Sequence, residues 1–175
     1  MARIKLGPTG LLSYVIEMPT VPVPPSLRDG EQVVSIGVDV IHVSDVRRSL
    51  AEFGDRYLYR MFTPGEIDDC GASSDPVPRL AARYAAKEAT IKALRVEGAQ
   101  PAWTSMEVSR HPLGWCEEMR LTGRAGVLAG LRGIRRVLVS LSHEHDVAIA
   151  MVVATGVPAV PEMPAVPEVP GVVTA

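Results

Sequence analysis

The sequence predicts an α+β fold, a small antiparallel sheet with packed helices. Three observations carry this expectation. Apolar, β-branched runs occur as a hairpin-like pair, "RVLVSLS" and "VAIAMVVA", joined by the turn "HEHD". The helical segments stand apart from such strands, as in an α+β chain. A content of 47% hydrophobic and 22% charged residues over 175 positions supplies one globular core.

In chain order, residues 1–32 read as an extended, proline-containing lead-in because of "MPTVPVPPSLRDG". The folded unit covers 33–154. It opens with the β-branched strand "VVSIGVDV" (33–40), expected to end at Asp39 or soon after. Ser44 is expected to cap a helix through "DVRRSLAEFG". Thr63, Pro64 and Glu66 make a capping box with proline at the first helical position, so a short helix starts there. A long helix includes "RLAARYAAKEATIKAL" (79–94), with Asp75 as its cap and Gly98 as its stop. Strands at "SMEVSR" and "EEMRL", a short helix over "AGVLAGL" and the closing hairpin complete the unit. In the tail, 155–175, prolines at 158, 161, 164, 167 and 170 match the three-residue turn of a polyproline II helix. That segment is expected to stay disordered.

Composition excludes several function classes. The longest purely apolar runs, such as "AIAMVVA", fall far below the ~20 residues of a spanning helix, and "LLSYVI" lacks the context of a secretory signal. A cytoplasmic location is therefore the default. Cys70 and Cys116 lack C-x-x-C spacing, which leaves no disulfide framework or zinc site. A formal net charge of −2 argues against a general nucleic-acid binder.

The chemistry concentrates on the long helix. At about 100° per residue, Leu80, Tyr84, Ile91 and Leu94 share one stripe, with Lys87 and Glu88 at its edges or within it. Two accounts are open for these charges. Lys87 snorkels and Glu88 pairs with Lys92, four residues on, at the surface; or Glu88 is buried and needs a metal, a cation or hydrogen bonds. Asp39 closes an otherwise apolar strand, and two carboxylates from separate elements near lysines suit Mg²⁺ bound with a phosphate. "SLSHEHD" (140–146) adds two hydroxyls and an imidazole at the end of another strand.

Taken together, "GVDV" (37–40), "FTPGE" (62–66), "RYAAKEATIKAL" (83–94) and "VSLSHE" (139–144) resemble the signature segments of the holo-acyl-carrier-protein synthases. These are the short, single-domain class of 4′-phosphopantetheinyl transferases, and the resemblance spans 33–154. It implies the 4′-phosphopantetheinyl transferase-like fold and a homotrimer with sites between subunits. It also implies Mg²⁺-dependent transfer of phosphopantetheine from coenzyme A to a serine of an apo acyl carrier protein, releasing 3′,5′-ADP. Asp39 and Glu88 would hold the metal. Arg83, Lys87, Lys92 and His143, with Ser140 and Ser142, would contact the coenzyme A phosphates. Glu88, a metal-bound water and Lys92 stand as alternatives for the base that accepts the serine proton. The helix after Asp39 would dock the carrier, with Arg47, Arg48, Arg56 and Arg60 as a basic face.

The chain also departs from the family pattern. His42 stands where many relatives have glutamate, Asp45 and Glu52 lie on the docking helix, and Trp115 and Cys116 follow Gly114 where a glycine-lysine-proline turn is common. These positions bear on carrier choice, and a polyketide or peptide synthase carrier is one expectation. The alternative function is a non-catalytic coenzyme A or carrier-protein binding module that keeps the fold.

Overall fold

The computed structural model describes residues 3–6, 12–15, 27–110 and 116–157. Within the lead-in, β1 (Arg3–Leu6) and β2 (Leu12–Val15) pair antiparallel, from Arg3 opposite Val15 to Leu6 opposite Leu12. Most of the proline-containing stretch 18–30, the turn at 111–115 and the tail from 158 lie outside the described residues.

The main sheet has five antiparallel strands in the order β3-β7-β6-β5-β4. These are β3 (Gln32–His42), β4 (Met106–Arg110), β5 (Cys116–Leu121), β6 (Ile134–Glu144) and β7 (Val147–Gly156). The helices are α1 (Val43–Phe53), α2 (Asp55–Met61), α3 (Pro64–Gly71), α4 (Val77–Ala93) and α5 (Gly123–Leu131), with one 3₁₀ turn at Trp103–Ser105. The α+β class and the antiparallel sheet are those the sequence predicts. No helix of the described residues is long and apolar enough to cross a membrane.

Strand β3 runs past Asp39 to His42, because β7 continues to offer partners: Asp39 opposes Ala150 and His42 opposes Val147. The β6–β7 hairpin closes on His145 and Asp146, and that turn reaches back to α1. Asp146 accepts bonds from the Ser44 N–H at 2.7 Å and the Ser44 hydroxyl at 2.8 Å. Ser44 thus lies inside α1 as a donor, and the helix start is satisfied by a residue 102 positions away, where the sequence expected Ser44 to be the cap.

Thr63 and Glu66 form the expected capping box of α3. Asp75 precedes the α4 boundary residue Pro76 and accepts from the Val77 N–H at 3.1 Å. Helix α4 ends at Ala93 with Leu94 as its C-cap, short of Gly98, and Arg95 turns left-handed (φ 45°).

Alanines set how closely α4 meets the sheet. Ala85, Ala86, Ala89 and Ala93 are buried, as are Ala148, Ala150, Val152 and Ala154 on alternate positions of β7. At Gly37 the approach is so close that an added Cβ would sit 1.9 Å from the Ala89 carbonyl oxygen. Only glycine fits there. Ser35, on the same face of β3, donates to the Ala93 carbonyl at 2.8 Å. Asp39 is two residues beyond Gly37, so strand alternation places it on this face as well. Cys70 is buried and free, its thiol pushed up to about 11 by desolvation.

Candidate active site

Asp39 lies two positions past Gly37 on β3 and Glu88 one position before Ala89 on α4, and the charges of both act on Lys92. Asp39 is largely buried, and its Oδ1 accepts from Lys92 Nζ at 2.7 Å. Lys92 also donates to the Val38 carbonyl at 3.1 Å. The Asp39 hydrogen bond, more than any other influence, raises the Lys92 ammonium above its ordinary pKa, and both Asp39 and Glu88 add to this through their charges. Glu88 is half-buried and accepts from Tyr84 Oη at 3.2 Å. The Tyr84 phenol is held far above its ordinary value by burial first, and then by the Glu88 carboxylate. The site therefore contains two acids, one cation and one neutral donor.

This donor set fits Mg²⁺. Among the described residues there is no group of three or more His, Cys, Asp or Glu side chains that could cage a metal. A hard cation that takes one or two carboxylates and completes its shell with phosphate oxygens and water needs no more than Asp39 and Glu88.

A second feature lies toward the start of α4. A cleft of about 170 Å³ is lined by Arg79, Arg83, Arg110, Asp69, Ser142 and His143, among others. Arg83 and Arg110 both bond to Asp69, and Arg83 also donates to the Arg79 carbonyl at 3.3 Å. Three guanidiniums against one carboxylate leave the cleft net positive, which suits a phosphate. Arg83 and Glu88 are five positions apart on α4, roughly 7.5 Å along its axis.

The structure thus gathers Asp39, Glu88 and Lys92 at one place and Arg83, Ser142 and His143 at a neighbouring one. Ser140 is elsewhere. It is exposed opposite Met151, on the sheet face that turns away from α4, so within one chain it does not join either group.

Lys87 is a correction to the sequence reading. It neither snorkels nor faces a phosphate. Its side chain has no exposure, its Nζ lies 2.7 Å from Glu66 Oε2, and it donates to the carbonyls of Met61 at 2.7 Å and Trp103 at 3.0 Å. The ammonium also lies 5.4 Å from the Phe62 ring centroid. All three donor positions are committed, which removes Lys87 from any ligand arriving through solvent. The Glu88–Lys92 surface pair is likewise replaced: Lys92 bonds Asp39, not Glu88.

Sequence reasoning passed over Tyr84, Arg79, Arg110 and Asp69. Arg79 had a usable signal, being one turn before Arg83 on the same helical face. Arg110 and Asp69 reach the cleft from β4 and α3, which no local pattern reveals.

On this geometry the comparison with known proteins is decisive. The model of the 4′-phosphopantetheinyl transferase superfamily matches residues 35–150. The chain belongs to this superfamily. Curated holo-[acyl-carrier-protein] synthases resemble it over most of their length. A holo-[acyl-carrier-protein] synthase of Desulforudis audaxviator is 42% identical over 124 residues, covering 71% of this chain and 94% of that protein. The one from Koribacter versatilis is 38% identical over 123 residues, covering 69% and 97%. Among solved structures, the Neisseria meningitidis synthase superposes with a TM-score of 0.61 at 32% identity, covering 70% of this chain and 98% of that one. The Helicobacter pylori synthase, solved in complex with coenzyme A, gives a TM-score of 0.59 at 28% identity, covering 68% and 98%.

Proposed function

We propose that this transferase moves 4′-phosphopantetheine from coenzyme A to a serine of an apo acyl carrier protein, with Mg²⁺, releasing 3′,5′-ADP. The observation that carries this reading is the placing of Asp39 and Glu88 beside the Gly37–Ala89 contact, with Lys92 bonded to Asp39 and within the field of Glu88. When bound there, Mg²⁺ would neutralise the pyrophosphate and the charge that grows on the leaving oxygen. Asp39 and Glu88 would hold it. Lys92, kept protonated by Asp39, is poorly suited to be the base and well suited to clamp a phosphate oxygen. The serine oxygen forms a bond to the phosphorus of the pantetheine phosphate as the bond to 3′,5′-ADP breaks. Its proton passes to Glu88 or to a water in the site. The Arg83–His143 cleft takes the remaining phosphate of the nucleotide, the 3′-phosphate.

An assembly of identical chains fits the sheet. Its far face exposes Ile36 (59%), Val38, Val40 (58%), Ile149 and Met151 together, an apolar area that a second layer must cover. We take the covering layer to be further copies in a homotrimer, in which Ser140 would face a neighbouring subunit.

The carrier-docking face lies at the end of α1 and along α2. Arg47 pairs with Asp75 and Arg48 with Asp45, whereas Arg56 and Arg60 have no ion-pair partner among the described residues. They line a cleft of about 290 Å³ with Phe53, Tyr57 and Met61. An exposed aromatic ringed by arginines suits an acidic partner.

The test is mass spectrometry of an apo carrier incubated with the protein, coenzyme A and Mg²⁺. The reading expects a gain of one phosphopantetheine group, lost with EDTA, Asp39→Asn or Glu88→Gln. No gain across fatty-acid, polyketide and peptide carriers would contradict it.

A further inference from the structure

We propose that Tyr84 is a positioning residue that orients the Glu88 carboxylate for its metal, an inference that rests on the transferase reading above. Tyr84 and Glu88 are one turn apart on α4, where side chains at i and i+4 meet. The phenol donates to Glu88 Oε1 at 3.2 Å. Oε2 then has no protein partner among the described residues and is left for a cation. A glutamate has three rotatable bonds, and their freedom is lost when the carboxylate is held by a metal. A hydrogen bond that already restrains one oxygen reduces that loss, as outer partners of ligating carboxylates do.

The hydroxyl is itself held in place. The Tyr84 ring packs on the Trp103 ring, with centroids 5.3 Å apart and planes 35° from parallel. The Trp103 carbonyl accepts from Lys87, whose other bonds go to Glu66 and to the Met61 carbonyl. A continuous set of contacts therefore runs from the buried Lys87–Glu66 pair through Trp103 and Tyr84 to Glu88. Ring packing alone would be met by phenylalanine. The half-buried hydroxyl beside a carboxylate is what packing does not require.

The experiment compares full-length wild type, Tyr84→Phe, Glu88→Gln and the double variant by electron paramagnetic resonance of free Mn²⁺ in the presence of coenzyme A. Thermal unfolding is measured in parallel. Tyr84→Phe should bind Mn²⁺ about tenfold more weakly at an unchanged unfolding midpoint. The KM for Mg²⁺ should rise while kcat at saturating metal stays within about twofold of wild type, since a positioning loss is recovered by mass action. In the Glu88→Gln background the tyrosine change should have no further effect. Unchanged Mn²⁺ affinity in Tyr84→Phe would overturn the proposal, as would an equal loss in the Glu88→Gln background. If wild type itself binds no Mn²⁺ with coenzyme A, the transferase reading fails and takes this inference with it.

Discussion

Lys87 Nζ lies 2.7 Å from Glu66 Oε2, with both side chains shut off from solvent. Glu66 does more than neutralise the lysine: its other oxygen, Oε1, accepts from the Val108 N–H at 3.0 Å, and Oε2 accepts from the Thr63 N–H at 3.0 Å. One buried pair thus ties α3, α4, β4 and the ends of α2 and the 3₁₀ turn to one another. Burial pulls the Lys87 ammonium below its ordinary pKa, and Glu66 opposes that pull.

Lys87→Met leaves the Glu66 charge buried without its cation and should cost about 3–5 kcal/mol. Adding Glu66→Gln removes the stranded charge and should recover part of the loss. Urea unfolding of the two variants checks this. Coenzyme A affinity measured on folded Lys87→Met should match wild type; a large loss there would restore the phosphate role expected from the sequence.

Gly37→Ala tests how the two acids are brought together. The new Cβ would meet the Ala89 carbonyl at 1.9 Å, so β3 and α4 must move apart. Such overpacking should cost about 1–3 kcal/mol. Because Asp39 travels with β3 and Glu88 with α4, the KM for Mg²⁺ should rise in steady-state transfer assays. A destabilised variant with unaltered metal dependence would separate the contact from the site.

Arg79→Ala and His143→Ala should raise the KM for coenzyme A about tenfold, the usual scale for one charge-assisted phosphate contact. Dephospho-coenzyme A, which lacks the 3′-phosphate, should be affected little. Equal effects on both donors would place that phosphate outside the cleft.

Two aspartates shape the acid limb of stability. The Asp75 carboxyl is held below its ordinary 3.8 by the Arg47 hydrogen bond and then by the Val77 N–H. Asp146 is held below the same value by the Ser44 hydroxyl and then its N–H. For a lowered folded pKa, the unfolded chain binds more protons just below the ordinary value, so the stabilisation is present above pH 3.8 and is lost as pH falls through the folded values. Unfolding midpoints followed into acid should fall less steeply in Asp75→Asn and Asp146→Asn, which should be less stable than wild type at neutral pH.

How much of this was legible depended on how local each feature is. The Thr63–Glu66 capping box and the β6–β7 hairpin follow from neighbouring residues, and the structure has them, whereas helix α2 and the β1–β2 pair in the lead-in were not expected. The reason for glycine at 37 was invisible, because it lies on α4 in the Ala89 carbonyl. Ser44 was read as a cap because capping chemistry is usually local, whereas its partner Asp146 arrives from the far hairpin. Lys87 was misread for the same reason. A lysine on a helix beside a glutamate gives no local sign that its carboxylate partner is 21 positions back, in the capping box of α3. Asp39 and Glu88 were legible from the residues as a candidate carboxylate pair near lysines, and the family pattern gave them and Lys92 their roles.

The most direct measurement of the central claim is a crystal structure with coenzyme A and Mn²⁺, with the metal located by its anomalous signal. The account predicts one peak between Asp39 and Glu88, with oxygens of both at about 2.0–2.2 Å, Lys92 on a phosphate oxygen and Lys87 still on Glu66. A metal held away from either carboxylate, or bound without one of them, would contradict it.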